Sequence, residues 1–558
     1  MIQDLHKSDN CELMETRVLP HKILVIEEGV DNAENLLKND ADQATVGVCP
    51  VTAFSTKEGK KAAVLLDFGS ELSGGIQIIA KQGSRRIGIP IRIRFGESAQ
   101  EAFTPLGVNG SCNDHSIRDI EWIIPWNSYQ LIGDTGYRFV YIELTEPDSY
   151  LELVSVKGIF RHRDLKYVGS FHSNDNLLNK IYDTCAYTIH LNMQEMVWDG
   201  IKRDRLVWIG DMHPEILTIR TVFGDIDIVE KSLKHIAQQY PEPEWPNHMT
   251  TYSFWYFMIL WDWYMYTGKR EMLESLKAYW ADLLDRILKL VHEDTSEPVR
   301  EEEFQGGFFL DWPTRWTENA KPGALGLFLL SVRCAMKLCK ICEEEELLKK
   351  CENKLSILEK MEFGECTAKQ TQAMMWQAGK VEKKITGIRL SECGGHGMST
   401  FMSYYILCAA ADTAGMTTAL KMLREYYGAM LSVGATTFWE DFDLEWMRDG
   451  ATIVELCENG KYDIHGENGK YCYQGFRHSL CHGWSSGPAA FLAEKTAGIH
   501  ILRPGCEQIE IAPDLGDLQN LEITYPIPQG VLEVKIEKKD GKNIVSYNAP
   551  EEVQVIIR

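Results

Sequence analysis

The hydrophobic period of this chain changes twice, from about two residues to about 3.6 after Phe171, and back again near residue 498. A chain of 558 residues patterned β, then α, then β is too long for one core, and about two to four domains are expected. Before residue 165, short alternating runs recur at Ala62–Asp67, Gly75–Ala80, Ile87–Phe95, Tyr137–Leu144 and Tyr150–Ile159, punctuated by Gly69, Gly74, Gly83 and Gly136. That spacing predicts a β-sandwich over residues 1–165. The helical region opens at Ser173-Asn-Asp-Asn-Leu, where capping residues lead into an amphipathic run to about Met196. Helical patterns follow at Ile226–Gln239, Ser253–Thr267, Glu271–Glu293, Leu325–Glu343, Glu344–Glu359, Thr400–Ala414 and Thr417–Leu431. Several are paired through short loops, as at Tyr266-Thr-Gly-Lys-Arg270. Roughly ten to twelve helices in hairpins over residues 166–497 predict a toroid. A helical solenoid competes, but no fixed-period repeat is visible. Residues 498–558 return to β, with Pro504-Gly505, Pro513 and Pro526 breaking runs such as Val531–Ile536 and Val553–Ile557.

Charge narrows the partners. A net charge of −23 offers no basic footprint for nucleic acid and repels polyanions, so a small neutral ligand fits best. No stretch of about 20 apolar residues is present, which argues against a membrane span. The N-terminus lacks a basic start followed by an apolar run, so a cytoplasmic protein is expected, or a periplasmic one if a leader has been removed. The 15 Cys are odd in number and irregularly spaced, as in a reducing compartment. The single CxxC, Cys339 to Cys342, falls in a predicted helix with no second pair to complete a zinc site. No cofactor and no metal are expected. Assembly into a homo-oligomer is left open.

Four segments concentrate chemistry. Trp198–Asp211 holds three carboxylates (Asp199, Asp204, Asp211), three cations (Lys202, Arg203, Arg205) and two Trp between two helices, with Gly200 allowing a sharp loop. Sugar hydrolysis uses such a mixture: carboxylates grip hydroxyls, an indole shields the ring, and one acid keeps its proton near neutral pH. A salt-bridged loop explains the same residues. Gly434–Phe442 places Glu440 beside Trp439, as a buried base or an exposed helix end. Ser479–Pro488 carries His482 and Trp484. His478 lies four residues earlier, but the stretch between lacks the Glu of HExxH. Gly307–Trp316 offers Asp311, Trp312 and Trp316 as an aromatic wall or as core. The aromatic run Tyr252–Tyr266 reads as core.

Together, and in this order, these segments resemble glycoside hydrolase family 78, the bacterial α-L-rhamnosidases of the six-hairpin glycosidase class. The family pattern of Asp, four residues, acid, three residues, Trp, two residues, Asp is matched by Asp199, Asp204, Trp208 and Asp211. Its Gly-Ala-Thr-Thr-x-Trp-Glu motif is matched by Gly434 to Glu440, its Asp-Trp segment by Asp311-Trp312, and its later His by His482. The flanks are similar too, at Leu66-Asp-Phe-Gly69 and at Pro526-Ile-Pro-Gln-Gly530. The resemblance implies an (α/α)6 barrel between an N-terminal β-sandwich and a small C-terminal β-domain, and hydrolysis of terminal α-L-rhamnosides with inversion. It implies Asp204 as general acid and Glu440 as general base, about 6.5–9.5 Å apart. Asp199, Arg203, Trp208, Asp211, Asp311, Trp312, Trp316 and His482 would hold the sugar. Two departures stand out. Asp204 is one methylene shorter than the Glu often found there, which leaves another deoxyhexoside, a uronide, or sugar binding without cleavage as alternatives. An insertion, Asp441 to Gln474, is expected to form a lid or rim.

Overall fold

The computed structural model describes residues 12–293, 296–457, 461–469 and 471–558. Of the N-terminal stretch read for a leader, residues 1–11 lie outside the described residues. From Leu13 to Arg163, nine strands form one hydrogen-bonded antiparallel network. Its spine is a 21-residue strand, Ala63–Gly83, paired with both Ser128–Leu144 and Tyr150–Arg163. The sequence divides this stretch into two strands at Gly69 and Gly74. In the structure those glycines are bulges within a single strand, at φ 87° and 143°, and the register shifts between Asp67 and Leu72 and between Gly74 and Ile76. A Cβ at Gly74 would sit 2.4 Å from the Ile159 carbonyl, so glycine there lets the strand bend without a clash.

The helices close on themselves. Asn176–Asn192 packs on Met212–Val222, then follow Tyr252–Thr267, Ala320–Ile341, Lys369–Gln377, Ser403–Ala414 and Pro488–Phe491, which returns to Asn176–Asn192. A solenoid has no such contact between first and last units, so the ring decides for the toroid. Lys277–Lys289, Glu345–Lys360, Lys383–Ser391 and Met416–Ser432 pack as further helices against its members or one another. Local chemistry explains the ends. Asp175 caps the first helix by accepting from the amides of Leu177 and Leu178, and Tyr252–Thr267 stops at Gly268 in the left-handed region. That second helix is aromatic around most of its girth and correspondingly buried. The single helix predicted over Glu271–Glu293 is two, Arg270–Ser275 and Lys277–Lys289, broken at Leu276. Cys342 caps its helix rather than lying within it, and every cysteine among the described residues is free.

Beyond the ring, the strands Asn520–Ile527, Gly530–Lys539 and Lys542–Asn548 form a four-stranded sheet whose remaining member, Ser170–Ser173, comes from just before the first helix. The chain is thus stitched to its own C-terminal region where the helices begin. Ile499–Ile501, Gln508–Ile511 and Gln554–Ile557 make a separate sheet. Among the described residues, no helix is long and apolar enough to cross a membrane.

Candidate active site

Two segments far apart in sequence are sewn together at one end of the ring. Gly200 bridges to His482, and the Gly483 amide donates to the Asp199 carbonyl at 2.7 Å. Residues 437–440 run alongside, with the His482 amide donating to Phe438 O and the Glu440 amide to Ser479 O, each at 3.0 Å. The sharp turn expected at Gly200 is made instead by Asp204 and Arg205, both at positive φ (54° and 57°). That conformation is strained for residues with side chains. It sends consecutive side chains to different destinations. Arg205 leaves to pair with Asp134 at 3.2 Å and to lie over Trp198, while Asp204 enters a cavity of about 310 Å³.

Eight of the ten residues singled out from sequence line that cavity: Asp199, Arg203, Asp204, Trp208, Asp211, Trp312, Glu440 and His482. Arg203 stands between the two candidate catalytic acids. One of its Nη atoms is 3.1 Å from Asp204 Oδ1 and the other is ion-paired with Glu440 Oε1. The Glu440 side chain is 2% exposed and that of Asp204 14%. Burial alone would push the Glu440 carboxyl up, but Arg203 outweighs it and holds the group well below the usual carboxylate range. Glu440 also accepts from the Cys472 thiol at 2.7 Å and from the Ser479 amide at 3.1 Å. Asp204 has a second neighbour from the N-terminal β-region: its amide donates to His115 Nδ1 at 2.5 Å, and its Oδ1 lies 3.0 Å from that same nitrogen.

A different electrostatic regime holds around Asp199 and Asp211. Asp199 accepts from the Leu206 amide at 3.0 Å and Asp211 from the Tyr252 hydroxyl at 3.0 Å, with His482 Nε2 3.8 Å from each carboxyl. Burial pushes both carboxyls well above their ordinary value, and neighbouring carboxylates push them further. Burial lowers His482 to about 3. The shifts disfavour charge on all three, leaving a set of donors and acceptors suited to uncharged hydroxyls. His482 Nδ1 and Trp208 Nε1 are buried without a hydrogen-bond partner. Such groups are costly unless a ligand or water satisfies them. An aromatic chain runs from Trp208 to Tyr252 to Phe309 to Trp312, with ring centres 5.3–5.8 Å apart.

Asp311 and Trp316 do not line the cavity. Asp311 points into the protein, where it accepts from the Trp312 amide at 2.8 Å and from the Ser399 hydroxyl, and burial raises it to about 7. It shapes the turn that presents Trp312. The short helical turn Trp312–Thr314 then carries Trp316 past the rim, 81% exposed and at φ 64°. His478 and His482 lie on extended backbone flanking short turns, so their four-residue spacing has no helix to turn it into a shared face.

Several lining residues were not singled out: Asn247, Met249, Tyr252, Phe309, Arg315, Cys472, Tyr473 and Trp484. Phe309, Arg315 and Trp484 sit inside segments already marked for chemistry. Cys472 and Tyr473 belong to the expected lid or rim, and Tyr473 covers the Arg203 guanidinium at 3.7 Å. Tyr252 was hidden in a helix read as core, and His115 and Asn247 carry no sequence signal. Lys202, beside Arg203, points away from the cavity. Its ammonium is 2.9 Å from Glu97 and 3.3 Å from Glu101 of the β-region and donates to the carbonyls of Phe476 and His478. Among the described residues, Glu97, Glu101 and His465 present metal-ligating atoms within 4.8 Å of one another. The Lys202 ammonium already pairs with both carboxyls of that group.

With this geometry in hand, the likeness to known proteins is specific. Residues 166–344 match the family model of the bacterial alpha-L-rhamnosidase 6 hairpin glycosidase domain. An alpha-L-rhamnosidase of Formosa agariphila is 30% identical over 80 residues, which cover 14% of this chain and 8% of that protein. The fold matches a GH78 family rhamnosidase of Bacillus sp. GL1 with a TM-score of 0.75 at 20% identity, over 94% of this chain and 55% of that one. It matches an alpha-L-rhamnosidase from Dictyoglumus thermophilum with a TM-score of 0.71 at 17% identity, over 97% and 58%. A rhamnosidase from Klebsiella oxytoca with rhamnose bound matches at 0.64 and 17% identity, over 86% and 95%. The chain thus spans little more than half the length of the first two structures. The helical ring has the fold of a six-hairpin glycosidase domain, and β-sheets flank it.

Proposed function

We propose that this chain, whose residues 166–344 match the bacterial alpha-L-rhamnosidase 6 hairpin glycosidase domain, removes terminal α-L-rhamnose from glycosides or polysaccharides with inversion. The observation that carries the reading is that Asp204 and Glu440 line one cavity, separated by the guanidinium of Arg203. An inverting mechanism needs two carboxyls with a gap between them that admits a water.

Glu440 acts as the base. Arg203 keeps it ionised, and three donors occupy its two oxygens: Arg203, the Cys472 thiol and the Ser479 amide. A carboxylate offers about four acceptor positions, so one is left to take a proton from water. Asp204 acts as the acid. Asp199, Asp211 and His482 hold hydroxyls, and Trp208 and Trp312 pack against the ring.

Asp204→Asn and Glu440→Gln are each expected to abolish p-nitrophenol release from its α-L-rhamnoside. Proton NMR of the first turnovers is expected to show β-L-rhamnose. Near-wild-type rates in either variant would refute the roles, and α-L-rhamnose as first product would refute inversion. Rhamnose binding without turnover of any glycoside would leave a sugar-binding protein.

A further inference from the structure

Beside the cavity lies a buried charge cluster that the roles assigned above do not use. Lys202 immediately precedes Arg203, yet it does not line the cavity. Its side chain is 7% exposed, and its ammonium sits among four acceptors. These are Glu97 Oε2 at 2.9 Å, Glu101 Oε1 at 3.3 Å, and the carbonyls of His478 at 2.6 Å and Phe476 at 2.8 Å. Both carboxyls come from the β-region, one within the short helix Ala99–Phe103 and one just before it. Burial alone would lower the proton affinity of the ammonium, but Glu101 and Glu97 outweigh it and raise it. Replacing a buried ion pair by packed apolar side chains is often neutral or stabilising, so stability alone does not account for the cluster.

Its connections point to the base. The His478 carbonyl and the Ser479 amide belong to one peptide group. Lys202 donates to the oxygen of that group, and its N–H donates to Glu440 Oε2 at 3.1 Å. A peptide group is planar and stiff, so fixing the carbonyl fixes the direction of the N–H. A cation on the oxygen also polarises the group and strengthens the N–H as a donor. Glu97 secures the next residues, accepting from the Leu480 amide at 2.6 Å and from the Ser479 hydroxyl at 3.1 Å. The Arg477 carbonyl accepts from Arg203 Nε at 2.9 Å. One stretch of backbone, residues 476–480, is therefore gripped by Lys202 and Glu97 while it bonds Glu440 and Arg203. The β-region approaches closely enough to enforce this: a Cβ at Gly136 would sit 2.9 Å from the backbone nitrogen of Lys202.

We infer that Lys202, locked by Glu97 and Glu101, is a positioning residue that acts on Glu440 through the His478–Ser479 peptide, which makes the β-region a working part of the hydrolytic site. This rests on the rhamnosidase reading above and extends it to residues that do not line the cavity.

The test is Lys202→Met, which keeps most of the side chain's length and removes the charge. On p-nitrophenyl α-L-rhamnoside, kcat is expected to fall about 100-fold, the effect of a misplacement of about 1 Å, with KM within about 3-fold of wild type. Calorimetric titration with rhamnose separates this from misfolding, because the variant is expected to keep about one site per chain, as in wild type. A kcat within about 3-fold of wild type overturns the inference, and so does a site count that falls as far as kcat. Should Lys202→Met not fold, Glu97→Gln takes its place, since it keeps an acceptor for the Leu480 amide and removes the charge facing Lys202. There kcat is expected to fall about 10-fold with the site count kept, and an unchanged kcat overturns the inference. If wild type cleaves no α-L-rhamnoside, the rhamnosidase reading fails on its own. Hydrogen exchange over residues 476–482 then decides Lys202: exchange about 10-fold faster in Lys202→Met than in wild type supports the anchor, and unchanged exchange overturns it.

Discussion

Replacing Arg203 by Gln tests the electrostatic logic of the site directly. The guanidinium is the cation that holds the buried Glu440 below the ordinary carboxylate range against the opposing effect of burial. It also pairs with Asp204, donates through Nε to the Arg477 carbonyl at 2.9 Å, and lies under Tyr473. Without it, burial dominates, and the Glu440 carboxyl is expected to rise above its unperturbed value of about 4.3. The base then becomes protonated toward neutral pH, and the acid limb of the kcat/KM profile moves upward. Breaking a buried pair by removing one partner costs about 3–5 kcal/mol. For a helical region of about 330 residues, an unfolding entropy of roughly 2.1 cal/mol/K per residue converts this into about 4–7 °C of Tm. The sign with pH follows from the depressed folded value. Its contribution to wild-type stability is fully present above about 4.3 and is lost as pH falls toward the folded pKa, so the gap between wild type and variant narrows in acid. Calorimetric melts from pH 4 to 8, with rates on p-nitrophenyl α-L-rhamnoside over the same range, read both effects. An unmoved acid limb together with a Tm within 1 °C of wild type would show that Arg203 does not set the state of Glu440.

Asp311→Asn is expected to flatten the pH dependence of stability. Burial raises Asp311 to about 7, so its contribution is present below about 3.9 and is lost as pH rises through about 7. An amide that keeps the Trp312 cap should make the variant more stable than wild type at pH 8, by up to about 4 kcal/mol. A variant whose Tm follows wild type across pH 5–8 would count against it. Tyr252→Phe removes the hydroxyl that donates to Asp211, and KM is expected to rise about 5- to 10-fold with kcat largely kept. A fall in kcat at unchanged KM would place Tyr252 in the chemical step instead.

Most of the cavity could be read from sequence because its residues cluster in four short motifs, and each motif sits on a loop between helices. The strands and helices were legible for a simpler reason: period two and period 3.6 are local properties. Failures came where locality ends. Gly69 and Gly74 look like strand ends, yet the pairing of both neighbours across the whole length makes them bulges in one strand. Asp311 and Trp316 share a segment with Trp312, but a short helical turn sends the three side chains to the interior, the rim and the cavity. Tyr252 was masked by a helix aromatic on nearly every face, where sequence offers no means to tell a lining hydroxyl from packing.

The amino-acid sequence by itself determined the β, α, β order of its patterns and several of the ring-forming helices, since these depend on periodicity within a few turns or strands. Only the tertiary structure decided the charge state of Glu440. Proton affinity depends on burial and on neighbours that arrive from elsewhere in the chain: Arg203 onto Glu440, and His482 beside Asp199 and Asp211. It also decided which arginine is free. Arg203, Arg205 and Arg315 are equivalent as letters, and what separates them is whether folding brings a carboxylate within reach.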